Sequence, residues 1–193
     1  MLRNTTVKRR DFLKGSLAAG AVAALAPSLL AQNAKVPKPD VWIIHGKDRK
    51  KLMEKCLEII NSEGGFGGKI KTLALKVNAA WPRTPGEGAN TDPVLVSTFL
   101  AGCRKMNIPD ISMPENPCAS AKITFVKSGI LEAAKANNVE MIDLKSETSY
   151  FRKVEIPGAV KLKSAKVAEQ FLDSDAVVNM PVAKHHGGAT LSM

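Results

Sequence analysis

The sequence predicts an open, mainly parallel α/β sheet with helices on both faces, preceded by an export leader. Three observations carry that expectation. Short apolar runs of strand length alternate with longer segments of helical periodicity, which is the pattern of βαβ units. The runs at 72–77 and 176–180 are nearly continuous in apolar residues, as strands buried on both faces are. Beyond residue 31 about 160 residues remain, enough for one domain with its own core.

The chain opens on Lys8-Arg9-Arg10-Asp11-Phe12-Leu13-Lys14, followed by a weakly apolar run at 15–30. Arg9, Arg10, Phe12 and Leu13 match the twin-arginine (Tat) export signal, with Lys8 where Ser or Thr is usual. A spanning helix wants about 20 strongly apolar residues. This run is shorter, rich in Ala and Gly, and broken by Pro27. Residues 1–31 are therefore expected to be an address read by the Tat translocon, with no transmembrane helix beyond it. Cleavage is expected after Ala31. Leu29, not a small residue at the minus-three position, leaves a retained anchor as the alternative. Either way the expected location is periplasmic or otherwise extracytoplasmic.

Residues 32–39 read as a linker, because Pro37 and Pro39 block regular structure. The α/β domain is expected at 40–193. Val41-Trp42-Ile43-Ile44 reads as a buried strand. Asp48 can cap a helix to about Ser62, with Leu52, Cys56, Ile59 and Ile60 on one face. The glycine run at 64–68 ends it, and 72–77 is the second strand. A loop at 79–90 leads to a helix capped by Thr91 or Asp92, with Pro93 in its first turn. A short strand at 110–113 follows, then a helical stretch at 122–137 interrupted near Ser128-Gly129, then a strand at 140–144. Residues 150–156 read as an edge hairpin strand. Ser164 is expected to cap a last helix to about Leu172, and 176–180 is the last buried strand. Residues 181–193 read as a loop. A buried parallel strand should be followed by an element that covers it, so the sequence is expected to be incomplete at its C-terminus.

The formal charge is +10. Removing the leader's five basic residues and one acid leaves 23 against 17, a net +6. The lysines are scattered and aromatics make up only 5%, so stacking platforms for nucleic acid are not expected. The three cysteines, Cys56, Cys103 and Cys118, have no Cys-x-x-Cys spacing, so no zinc ribbon or ferredoxin motif is present. Cys56 and Cys103 fall on apolar helix faces, whereas Cys118 lies in a loop.

Ligands of open α/β sheets bind outside the carboxyl ends of the strands. Those ends offer Lys76 and Asn78, then Glu115, Asn116 and Cys118, and finally Asn179 with Lys184-His185-His186-Gly187-Gly188. Lysine supplies a point charge for phosphate or carboxylate. Histidine supplies a metal ligand or proton carrier. Lys76, Asn78, Asn179 and Lys184 are therefore candidate ligand-binding residues, and His185 or His186 a candidate metal ligand. Adjacent side chains on extended backbone point apart, so one site is not expected to use both histidines. Simple solvation of Lys76 and of the histidines is the bland alternative. No Gly-x-Ser-x-Gly elbow or His-Glu-x-x-His motif suggests a hydrolase.

Leu75-Lys76-Val77-Asn78, with Asn90-Thr91-Asp92-Pro93-Val94-Leu95-Val96, resembles the opening motif of the domain-of-unknown-function 362 family. Ser128-Gly129-Ile130 and Val139-Glu140-Met141-Ile142-Asp143-Leu144 continue the resemblance. It culminates in Asp175-Ala176-Val177-Val178-Asn179-Met180-Pro181-Val182-Ala183-Lys184-His185-His186. Val77 stands where the family usually has proline, and His186 where it commonly has glycine. The resemblance covers roughly residues 40 to 193 and implies no agreed activity. Many members carry ferredoxin-type cysteines elsewhere in the chain, which implies an iron-sulfur-associated setting, although this chain has no cluster motif. The expected function is an exported binder of an anionic or metal-bearing ligand in a redox context. A metal or iron-sulfur cluster would then belong to the complete protein, alongside a redox partner protein. The alternative is a non-catalytic interaction domain exported with such a partner.

Overall fold

Four parallel strands form the sheet: β1 (Thr72–Val77), β2 (Asp110–Glu115), β3 (Glu140–Asp143) and β6 (Ala176–Met180), in the order β3-β2-β1-β6. The computed structural model describes residues 41–66, 69–146, 148–188 and 190–192. The leader, and with it Arg9, Arg10, Phe12 and Leu13, lies outside the described residues. The predicted α/β class with a parallel sheet is what the structure has.

Helix α1 (Arg49–Ser62) starts where Asp48 accepts a bond from the Lys51 N–H at 3.1 Å. Helix α2 (Pro93–Lys105) carries proline in its first turn, and Asp92 caps it by accepting from the Val94 N–H at 2.9 Å. Arg104 and Lys105 lie in its last turn, favourable to the dipole. The expected break at Ser128-Gly129 separates α3 (Ala121–Lys127) from α4 (Ile130–Lys135). Gly129 has φ 73°, a conformation that side chains with a Cβ rarely adopt.

Strand alternation sends Leu73, Leu75 and Val77 of β1 and Ile111 and Met113 of β2 into one cluster. Met53 and Leu57 of α1, Phe99 and Leu100 of α2, Phe125 of α3 and Ile130 of α4 complete it. Val178 and Met180 of β6 pack against its edge. The β1–β6 register sets Lys76 beside Asn179, and the β2–β3 register sets Glu115 beside Asp143. The β1–β2 ladder runs only from Thr72–Asp110 to Ala74–Ser112. Pro114, with no N–H to contribute, follows in β2. Lys76 and Glu115 thus lie just beyond the paired part of the two strands.

Several expectations need correction. Residues 41–44 form no strand, and Ile43 is 86% exposed. Four apolar residues give length and hydrophobicity but no partner, and a strand needs a partner. Ser164 caps no helix. Residues Ser164–Ala168 are β5, antiparallel to β4 (Phe151–Glu155), and only Glu169–Leu172 is helical, as α5. The tail is not a plain loop, because β7 (Lys184–His186) and β8 (Thr190–Ser192) pair as an antiparallel hairpin.

Candidate functional site

The chain leaves β1 toward β2 on one side of the sheet, while β6 joins β1 on the other. Such a reversal is the switch point at which open α/β sheets hold ligands. Lys76, one residue before the end of β1 and paired with Asn179 of β6, has its side chain about one-third exposed. Its Nζ donates to Glu115 Oε2 at 2.7 Å and to the Val77 carbonyl. The Glu115 side chain is 5% exposed. Its Oε2 also accepts from the Ala79 N–H at 3.3 Å, and its Oε1 from the Asn116 N–H at 3.0 Å. The carboxylate is a junction: it ties the backbone leaving β1 to that leaving β2 and holds the lysine.

A second set of bonds joins β1 to the hairpin after β6. Lys184 Nζ donates to Asn78 Oδ1 at 2.7 Å and to the Ala89 carbonyl. The buried Thr91 bridges the strand ends. Its hydroxyl accepts from the Asn78 N–H at 2.8 Å and donates to the Met180 carbonyl at 2.7 Å. Its own N–H donates to the Asn78 carbonyl at 2.8 Å. Asn90 pins the intervening loop through the Trp81 and Arg83 carbonyls, at 2.9 and 3.3 Å.

At this corner Lys184 meets Asn78, two residues beyond Lys76, and Asn179 is exposed beside Lys76 on β6. His185 and His186 are both exposed on β7, and His186 Nδ1 accepts from the Gly188 N–H at 3.1 Å. Among the described residues no group of three His, Cys, Asp or Glu side chains could hold a metal ion. Cys103 is buried in the core, which pushes its thiol up to about 12, and Cys118 is exposed.

Sequence reasoning left two residues of this corner unassigned. Glu115 was visible only as one of three residues at a strand end, and Thr91 only as a helix cap. A signal existed for Glu115: a carboxylate ending the strand next to one that ends in lysine. Cavities of about 910, 610 and 360 Å³ lie elsewhere and include neither lysine. The largest runs between α1, α2 and α4, and the smallest lies at the amino ends of β1 and β2. The corner is an open rim between strand ends, not one of these cavities.

The profile of a family described as "Domain of unknown function (DUF362)" matches residues 73–193, which holds every residue of this corner. A profile of the "TAT (twin-arginine translocation) pathway signal sequence" matches residues 6–26. No curated protein and no solved structure matches the chain.

Proposed function

This chain belongs to the domain-of-unknown-function 362 family and carries a Tat signal for export across the cytoplasmic membrane, and from that premise we propose that it binds an anionic ligand at the carboxyl ends of β1 and β6. The observation that supports this reading is that Lys184 is held by Asn78, two residues beyond Lys76, which is itself held at the same strand end by Glu115 and the Val77 carbonyl. An ammonium carries three N–H donors. Lys76 spends two on Glu115 and Val77, and Lys184 two on Asn78 and Ala89. One donor on each remains for a ligand oxygen. Lys76, Lys184 and Glu115 together carry +1, which suits a carboxylate or a phosphate ester. Asn78 and Thr91 hold the backbone, and the exposed Asn179 amide is a further donor at the rim.

The redox setting in this proposal rests on the export route, since Tat carries folded and often cofactor-loaded cargo. A metal-bearing ligand would have to bring its own ligands, because the described residues offer no set of three. No step is routed through one.

The test is thermal denaturation of the full chain with inorganic phosphate or a dicarboxylate, at matched ionic strength. A ligand at a hundred times its Kd stabilises by about 2.7 kcal/mol. A rise in Tm is expected in the wild type and its loss in Lys184→Ala. A wild type indifferent to every anion tried, and free of metal on elemental analysis, would favour the interaction-domain alternative instead.

A further inference from the structure

Helix α3 turns Ala121, Thr124 and Phe125 into the protein. Its outer face is not the polar one a surface helix usually shows. Ile123 and Val126, three residues apart and so neighbours on one side, are 59% and 64% exposed. Lys122 and Lys127 flank them, both exposed, and no ion pair joins either to another described residue.

The loop after β1 runs alongside. At one end of α3 the Ala119 N–H donates to the Ala80 carbonyl at 3.2 Å. At the other, a Cβ built on Gly129 would lie 3.8 Å from Pro85 Cγ. The stretch between them carries Trp81, 49% exposed, and Arg83. A tryptophan, two aliphatic side chains and a cationic border thus lie along one edge of the molecule.

We propose that this edge docks reversibly on an anionic lipid bilayer. Tryptophan is the aromatic that favours the headgroup level, where aliphatic side chains reach the acyl boundary. Lysines and arginines near such a surface are drawn to acidic lipids. The charge matches, because Arg83 is paired with Glu87 while Lys122 and Lys127 have no ion pair among the described residues, which leaves the border positive. Three apolar side chains fall well short of the roughly 1,200–2,000 Å² of a stable protein–protein interface, which disfavours a second copy of the chain as occupant. The export signal also makes a bilayer a surface that this chain meets. The loop leaves β1 and α3 follows β2, so docking would turn the strand carboxyl ends toward the headgroups. The inference stands on exposure and charge alone, independently of any ligand at Lys184.

The experiment uses the full chain with Trp42→Phe, so that Trp81 is the one fluorescent indole. It is mixed with vesicles of phosphatidylcholine and with vesicles enriched in phosphatidylglycerol. A blue shift of Trp81 emission is expected on the anionic vesicles, weakening as salt is added. Ile123→Glu with Val126→Glu, both outside the core, should preserve the circular dichroism spectrum. The double variant should abolish the shift and lower co-sedimentation about tenfold. Residual binding through the leader would appear as sedimentation without a Trp81 shift. Trp81 emission unchanged on anionic vesicles overturns the proposal, as does a shift that survives the double variant. A wild type that sediments as a dimer without lipid and becomes a monomer in the double variant makes the face a self-interface, and also overturns it.

Discussion

Asp175 stands one residue ahead of β6 and pins that strand to β1. Its carboxylate accepts from the Lys71 N–H at 2.7 Å and the Thr72 N–H at 3.0 Å, and its own N–H donates to Thr72 Oγ1 at 2.9 Å. The bond from the Lys71 backbone, then those from Thr72, hold its carboxyl below the usual carboxylate range. A group depressed in the fold contributes stability above its unfolded pKa, about 3.9 for Asp, and loses it as pH falls through the folded value. Asp175→Ala should therefore lower Tm most at neutral pH, with the gap from wild type closing on acidification below about pH 4. Thermal melts of both proteins across pH check this, and a gap independent of pH would refute it. The sequence displayed Asp175 as the first residue of the last family motif. Its chemical task depended on Lys71 and Thr72, more than a hundred residues earlier, being the start of the neighbouring strand.

At the scale of elements, capping and punctuation were legible because they are local. Asp48 and Asp92 as caps, Pro93 in the first turn and Gly129 as the break between α3 and α4 each act on backbone groups within a few residues. Ser164–Ala168 was misread for the complementary reason: its helical spacing is short, and pairing with β4 outweighs a weak local preference. Close helix packing was equally hidden. A Cβ at Gly102 of α2 would lie 2.4 Å from Leu57 Cδ1 of α1. Gly102→Val should press on that contact and cost about 1–3 kcal/mol. Urea denaturation measures it, and an unchanged midpoint would mean that Leu57 swings aside without penalty.

For the whole molecule, the central strand carries the greatest burial. Leu73, Leu75 and Val77 are each at most 1% exposed and face α1 to α4. Leu75→Ala should cost about 2–5 kcal/mol, a large part of a total that for such domains is about 5–15 kcal/mol. Guanidinium denaturation gives the value, and a loss under about 1 kcal/mol would show a core that collapses onto the gap. By itself, the sequence determined the leader, the α/β class, the helix caps, the family motifs and the strand ends that hold Lys76 and Lys184. All of these are written in spacing and side-chain type over short stretches. Only the tertiary structure decided that β6 joins β1, that β5 is a strand, that Glu115 takes Lys76 and that Lys184 reaches Asn78, 106 residues away in the chain. Strand order and buried hydrogen-bond partners are set by which distant surfaces exclude water together, and residue spacing along a chain does not record that.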